Sequence, residues 1–142
     1  MIKYEQDFYG WTQEQAALLK AGRLNDLDIE NLIEEVETMG RSEKRELESR
    51  LTVLLLHLLK WKYQEVGRGR SWELSIIEQR LRFEETLEEN PGLNPKLDEI
   101  LTKAYKFATI QASRETKISN NVFPQECPWD LDQIMDDNFY PE

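Results

Sequence analysis

The longest hydrophobic stretch of the chain lies between residues 47 and 61. Its apolar side chains recur every three or four residues, which is the period of an α-helix, and form one stripe: Leu47, Leu51, Leu54, Leu55, Leu58 and Trp61. Further apolar residues cover its other sides: Val53, Leu56 and Leu59. Because a helix that is hydrophobic nearly all round belongs inside a protein, this segment, predicted as a helix from about Ser42 to Gln64, is expected at the centre of the fold.

The first forty residues contain two shorter segments of helical period. Thr12 is a typical helix-capping residue and Gln15 follows three positions later, so a first helix is predicted from Thr12 to Gly22. A second helix is predicted from about Leu27 to Met39, ending or bending at Gly40. Its apolar residues recur at helical spacing and predict a buried face: Ile29, Leu32, Ile33 and Val36.

Capping and helix-terminating residues also delimit the later helices. Ser71 is predicted to cap a fourth helix, which Asn90-Pro91-Gly92 terminates because proline lacks an amide donor. Asn94-Pro95 is predicted to begin a fifth helix that fades near Ile118. The remaining residues are rich in Asn and Pro, and one short helix is predicted there, from Leu131 to Met135.

The fold class follows from these segments. No stretch of alternating polar and apolar residues is long enough to predict a strand. The sequence therefore predicts an all-α protein, an antiparallel bundle of about five helices built around the third one. A length of 142 residues suits a single domain. Within residues 1–142 we expect an aromatic N-terminal arm (1–11), the helical bundle (12–118) and a C-terminal tail (119–142).

Charge narrows the classes of partner. The chain has 28 acidic and 18 basic residues, a formal net charge of -10, which disfavours nucleic acid and anionic membrane as partners. One basic island stands out between Lys60 and Trp72, where four cations accompany a single acid. The partners left open are a second copy of the chain, through self-association, or another protein.

Cysteine content and the N-terminal residues bear on the compartment. Cys127 is the only cysteine, so no disulfide can form within the chain. Its neighbours are acidic, which disfavours a reactive thiolate. The first eleven residues lack the basic and apolar regions of a secretion signal, and no apolar run approaches the roughly 20 residues that span a bilayer. A cytoplasmic protein is predicted.

Short motifs along nearly the whole chain resemble one family. They are Asp7-Phe8-Tyr9, Trp11 with Gln15, Leu27-Asp28, Leu32, Glu34, Glu35, Glu37, His57-Leu58-Leu59-Lys60-Trp61, Ser71-Trp72, Arg80, Asn90-Pro91-Gly92-Leu93, Phe123-Pro124 and Cys127-Pro128. Together they resemble the bacterial domain of unknown function family twenty-nine, whose members commonly carry Ser at the position of Gly92. The resemblance implies a small helical protein and no established activity.

The candidate catalytic residues are His57, Glu34 and Glu37. If the second and third predicted helices packed antiparallel, His57 could approach either glutamate. Carboxylates beside an imidazole can bind a divalent metal or transfer protons, which would make the protein a metal-dependent or acid–base enzyme. A single histidine in an apolar helix is more often a hydrogen-bonded structural residue, and one histidine excludes sites that need two. We therefore expect no metal and no cofactor, and the sequence leaves open whether the protein is an enzyme.

A second candidate site is the basic island, with Lys60, Arg68 and Arg70, and Arg80 two turns into the next helix. Guanidinium groups and the amides of a glycine-containing loop can hold a small anion or a nucleotide. The Walker spacing is absent, however, and the segment follows a helix rather than a strand. An ordinary solvated turn, or recognition of an acidic surface, explains the same residues.

Four tryptophans are candidates for stacking or for a protein interface: Trp11, Trp61, Trp72 and Trp129. Tryptophan is concentrated in binding hot spots, but aromatic residues near chain ends also cover the ends of a core. Taken together, the sequence favours a non-enzymatic protein-interaction module. The enzyme and the small-anion or nucleotide binder are the alternatives.

Overall fold

Five α-helices account for most of the chain. The computed structural model describes residues 1–142 and contains α1 (Phe8–Lys20), α2 (Ile29–Tyr63), α3 (Arg70–Glu89), α4 (Leu97–Thr116) and α5 (Leu131–Met135). Three short 3-10 turns lie between them: Leu24–Asp26, Pro91–Lys96 and Asn120–Val122. No strand is present. The all-α class is confirmed, as is the short helix Leu131–Met135.

The main difference from the predicted helices is at Gly40. The two helices predicted for residues 27–39 and 42–64 are one 35-residue helix, α2, which continues through Gly40. The predicted break was wrong because glycine inside a helix costs only about 1 kcal/mol relative to alanine. The many helix-forming residues on both sides of Gly40 offset that cost.

The capping residue of α1 was also wrongly predicted. Asp7 caps the helix, since its carboxylate Oδ1 accepts a hydrogen bond from the Gly10 amide at 2.9 Å. Thr12 lies inside α1, where its hydroxyl donates to the carbonyl oxygen of Tyr9. Gln15 is buried, and its Oε1 accepts from the amide of Asp28 at 2.8 Å.

The predicted starts of the fourth and fifth helices each differ from the structure by two residues. Gly69 stands at the N-cap of α3 without a side-chain cap, and Ser71 is the second residue of the helix. Residues Pro91–Lys96 form a 3-10 turn, so α4 begins at Leu97 rather than at Pro95. Both shifts are within the usual fraying of helix ends.

The chain divides into two compact units, Met1–Arg41 and Ser42–Glu142. The first contains α1, the first 3-10 turn and the beginning of α2. Of its side chains only Trp11 and Gln15 are buried. The expectation of one domain over residues 1–142 stays a prediction.

The second unit holds the hydrophobic core. Its buried residues are Leu47, Leu51, Leu54, Leu55, Leu56, Leu58, Leu59, Ile76, Phe83, Ile100, Ala104, Tyr105, Ala108, Ala112, Phe123, Trp129 and Ile134. The leucine-rich part of α2 is therefore the centre of this unit, as its hydrophobic period predicts. Phe123, Trp129 and Ile134 come from the C-terminal tail, which thereby completes the core.

Polar contacts give the direction of the helices in the second unit. Lys44–Glu99, Glu48–Lys103 and Lys60–Glu115 are ion pairs along α2 and α4. The residue number rises along both helices from pair to pair, so α2 and α4 run parallel. Asn90, after α3, donates to Glu43 on α2, so α3 runs antiparallel to α2. The three helices form an up-down-up bundle.

Candidate functional site

The beginning of α2 carries an exposed apolar surface. Ile29 and Ile33 are 54% and 53% exposed, and Val36 and Met39 are both 66% exposed. Leu32 is half-buried and lies on the same side of the helix. We call these five side chains the α2 face, and all of them except Met39 line a shallow depression of about 250 Å³. The predicted burial of Ile29, Ile33 and Val36 was wrong, because the hydrophobic period shows which residues share a side of a helix but not what covers that side.

The contacts of α2 within the first unit are made by its polar side. Trp11 donates from its indole Nε1 to Asp28 Oδ2 at 2.9 Å, and Asn31 Nδ2 donates to the same oxygen at 2.8 Å. The hydroxyl of Tyr4 donates to the carboxylate of Glu35. Asp28, Asn31 and Glu35 are spaced i, i+3, i+7 and so share one side of the helix. The helix thus uses its polar side for packing in this unit and leaves its apolar side open.

These polar contacts change two pKa values. Hydrogen bonds from Asn31 and then from Trp11 lower the pKa of the Asp28 carboxyl group from its usual 3.8. The hydrogen bond to Glu35 raises the pKa of Tyr4 to about 12, because the neighbouring carboxylate disfavours a phenolate. The hydrogen bonds of Asp28 and Tyr4 therefore favour an ionised Asp28 carboxylate and a neutral Tyr4 hydroxyl.

The predicted carboxylate–imidazole cluster depended on a turn near Gly40, and α2 has no turn there. Within the first unit, Glu34 and Glu37 lie 3.4 and 3.8 Å from the guanidinium of Arg41. No group of three His, Cys, Asp or Glu side chains has the geometry to hold a metal ion.

His57 is a half-buried residue of the second unit. Its ring Nδ1 lies 2.9 Å from the carbonyl oxygen of Val53, one turn earlier in α2. Burial lowers the pKa of His57 from its usual 6.5, and the charge of Lys60 acts in the same direction. The neutral imidazole is therefore the favoured form in the folded protein.

Two cations of the basic island have partners within the second unit. Lys60 Nζ lies 3.1 Å from a carboxylate oxygen of Glu115 and 4.7 Å from the ring centre of Trp72. Arg68 donates to the carbonyl oxygens of Trp61 and Lys62, which are otherwise free at the end of α2. Lys60 therefore belongs to the ion pairs between α2 and α4, and Arg68 caps α2.

Arg80 is the residue whose role the sequence analysis missed. It is 1% exposed, and its guanidinium donates to three main-chain carbonyls of the tail: Ile134 at 2.8 Å, Asp137 at 3.4 Å and Phe139 at 2.6 Å. Its position on α3, four residues after Ile76 and three before Phe83, is the signal that could have indicated burial. Arg70, the last member of the candidate set, is exposed and makes no hydrogen bond or ion pair.

The tryptophans contribute to packing inside each unit. Trp11 and Trp129 are buried, and the rings of Tyr4 and Phe139 lie 4.7 and 5.7 Å from them, respectively. Trp61 is half-buried against Tyr140, with 4.9 Å between ring centres. The aromatic side chains that are more than half exposed are Phe8, Tyr9 and Phe107.

Cys127 is a half-buried thiol of the tail. It donates a hydrogen bond to the carbonyl oxygen of Trp129 at 3.3 Å. Burial raises the pKa of the Cys127 thiol above its usual value, so the neutral thiol is favoured. The raised thiol pKa thus has loss of solvation as its main cause, rather than the acidic neighbours considered in the sequence analysis.

A family model matches residues 3–140, and its description is domain of unknown function DUF29. Because the match covers nearly the whole sequence, the chain belongs to this family. Comparisons with curated proteins and with solved structures gave no match. None of the helices has both the length and the hydrophobicity required to cross a membrane.

Proposed function

We propose that this member of the DUF29 family is a cytoplasmic protein-interaction module and that the α2 face is its docking surface. The observation that carries the proposal is the orientation of α2 in the first unit. Polar residues of α2 pack against Tyr4 and Trp11, whereas four apolar residues about one-third of a turn away face solvent. An amphipathic helix with this orientation gains stability when another protein covers it.

The energetic gain from covering the α2 face is appreciable. Fully burying one aliphatic side chain contributes about 1.5–3 kcal/mol. Four members of the face are between one-half and two-thirds exposed, so each would contribute roughly 1 kcal/mol or more on docking. Single exposed apolar residues are common on protein surfaces, but a contiguous apolar patch marks an interaction site.

The spacing of the α2 face indicates what kind of partner fits it. Ile29, Leu32, Val36 and Met39 fall on a and d positions of a seven-residue repeat, and Ile33 on an adjoining e position. Side chains at these positions interdigitate with those of another helix. The favoured partner is therefore an amphipathic helix that lies along α2.

The other two hypotheses have less support. The carboxylates of Glu34 and Glu37 lie beside Arg41, and His57 contacts a main-chain carbonyl. In the basic island Lys62 lies over the ring of Tyr63, and only Arg70 has neither a polar nor an aromatic partner. That leaves one free cation where a phosphate site usually has several.

A photo-reactive amino acid at position 36 tests the proposal in living cells. The control is the same amino acid at Glu34, which lies on the solvated side of α2 and is also exposed. We expect an adduct of one defined mass from position 36, which disappears when Ile33 and Met39 are replaced by serine. Equal labelling from positions 34 and 36, or none from position 36, would show that the α2 face is not a docking surface.

A further inference from the structure

We infer that the partner of the α2 face is a second copy of this chain, whose own α2 lies antiparallel across a two-fold axis. This inference rests on the proposed function and specifies its partner. It is argued from the symmetry of the apolar pattern, from the position of the charged residues and from the area that would be buried.

The apolar pattern of the α2 face is the same in both directions. Its a and d residues are separated by three, four and three positions: Ile29, Leu32, Val36 and Met39. In an antiparallel pair centred near residue 34, Ile29 lies opposite Met39 of the second copy. Leu32 then lies opposite Val36 of the second copy. Every a residue thus meets a d residue, and all four layers are apolar.

This symmetry meets the geometric condition for pairing with a second copy. A two-fold interface uses the same surface on both subunits, so the surface has to be complementary to itself. Ile33 adds to the match, because in this register it lies close to Ile33 of the second copy beside the two-fold axis.

The charged residues of α2 are compatible with this packing. Glu30, Glu34 and Glu37 lie at b and f positions, on the side away from the partner helix, so they are not brought into direct contact. Asp28 and Glu35 flank the α2 face and already accept hydrogen bonds from Trp11 and Tyr4. In this register Glu35 lies near Glu35 of the second copy, on the other side of the two-fold axis from Ile33. This pair and the net charge of -10 on each chain both oppose association, and salt screens both.

The area available is enough for a modest dimer. Each of the four most exposed side chains offers on the order of 100 Å², so two copies would together bury roughly 800 Å² of apolar surface. Because apolar atoms make up about two-thirds of a homodimer interface, this apolar area implies a total interface of about 1,200 Å². That area is at the lower end of the range for stable complexes. A micromolar dissociation constant is expected rather than a nanomolar one.

Sedimentation of the purified full chain tests the second copy as partner. At about 100 μM we expect twice the chain mass of 16.9 kDa, with the dimer fraction rising as salt is added. Val36→Asp should give a monomer with unchanged helicity, because Val36 is exposed within its own chain. Leu81→Asp is the matched control, since Leu81 is an equally exposed apolar residue on α3, and it should still dimerise.

Disulfide cross-linking tests the antiparallel register, in a Cys127→Ser background. Disulfides form only between Cα atoms closer than about 7 Å. Ile33→Cys should therefore cross-link to itself near the two-fold axis. Ile29→Cys and Met39→Cys should each fail to cross-link alone but should do so when the two variants are mixed. Self-linking of either variant alone would overturn the antiparallel arrangement.

The outcomes separate this inference from the proposed function. A chain that stays monomeric at about 100 μM and in high salt overturns the second copy as partner. If position 36 then gives an adduct with another protein in cells, the docking function stands and its partner is that protein. If it gives none, both proposals fall.

Discussion

The guanidinium of Arg80 on α3 donates a 2.6 Å hydrogen bond to the main-chain carbonyl of Phe139 in the tail. Two more carbonyls, of Ile134 and Asp137, accept from the same group. Arginine presents its donors in a rigid planar fork, which allows one side chain to hold several oxygens at once. A segment without regular structure is in this way fixed against the core of the second unit.

Replacing Arg80 should therefore loosen the tail. Arg80→Met leaves three carbonyls without their donor, and we expect it to lower the free energy of unfolding by about 2–4 kcal/mol. Urea denaturation measures the change. Arg82→Met is the control, because Arg82 is exposed and makes one ion pair with Glu78, so a change of about 0.5 kcal/mol or less is expected. Equal stability of the two variants would contradict the role assigned to Arg80.

The leucines of α2 offer a second prediction. Leu54→Ala removes a fully buried side chain from the centre of the second unit and should cost about 2–5 kcal/mol. Leu81→Ala changes the same atoms on a side chain that is 61% exposed, and should cost about 0.5 kcal/mol or less. Thermal or urea unfolding compares the two. A small effect at Leu54 would show that residues 47–61 are not the core.

Acid pH should weaken the contacts of Asp28. Because hydrogen bonds hold its folded pKa below the usual 3.8, the carboxylate stabilises the folded protein above that pH, and this contribution is lost as the pH falls through the folded value. We expect wild type to be more stable than Asp28→Asn at pH 6 and the difference to disappear near pH 2, as followed by unfolding at each pH. Glu30→Gln should change stability little at either pH.

His57 should produce a separate pH dependence near neutrality. Its folded pKa lies below the unfolded value of 6.5, so the unfolded chain takes up a proton first and stability falls as the pH drops from 7 towards 5. In His57→Leu this part of the decline should vanish, because leucine fills the space without titrating. An identical pH profile for the variant and wild type would show that His57 is solvated and titrates normally.

The core of the second unit was predictable because its signal is local and repeated. The residues from Leu47 to Leu59 are apolar on nearly every side, and only a buried helix satisfies that pattern. The short helix Leu131–Met135 was also predicted at its observed bounds. The continuation of α2 through Gly40 was not predictable in this way. One glycine weakens a helix only slightly, and whether the helix breaks there depends on the helix propensity of the residues around it.

The candidate site was harder to predict for a physical reason. Ile29, Ile33 and Val36 have the spacing of a core face, and the same spacing suits a surface that another molecule covers. Only the polar contacts of Trp11 with Asp28 and of Tyr4 with Glu35 show which side of α2 is used internally. Those contacts join residues far apart in sequence, for which periodicity carries no information.

The position of the tail in the core has a consequence for biosynthesis. Helices α2, α3 and α4 leave the ribosome before Phe123, Trp129 and Ile134, so the apolar surface that these residues cover is bare while the chain grows. The carbonyl groups that accept hydrogen bonds from Arg80 are also incomplete until residue 139 has been added. The nascent second unit is therefore most exposed to aggregation and proteolysis just before its last twenty residues emerge, and chaperones that bind apolar segments would act in that interval.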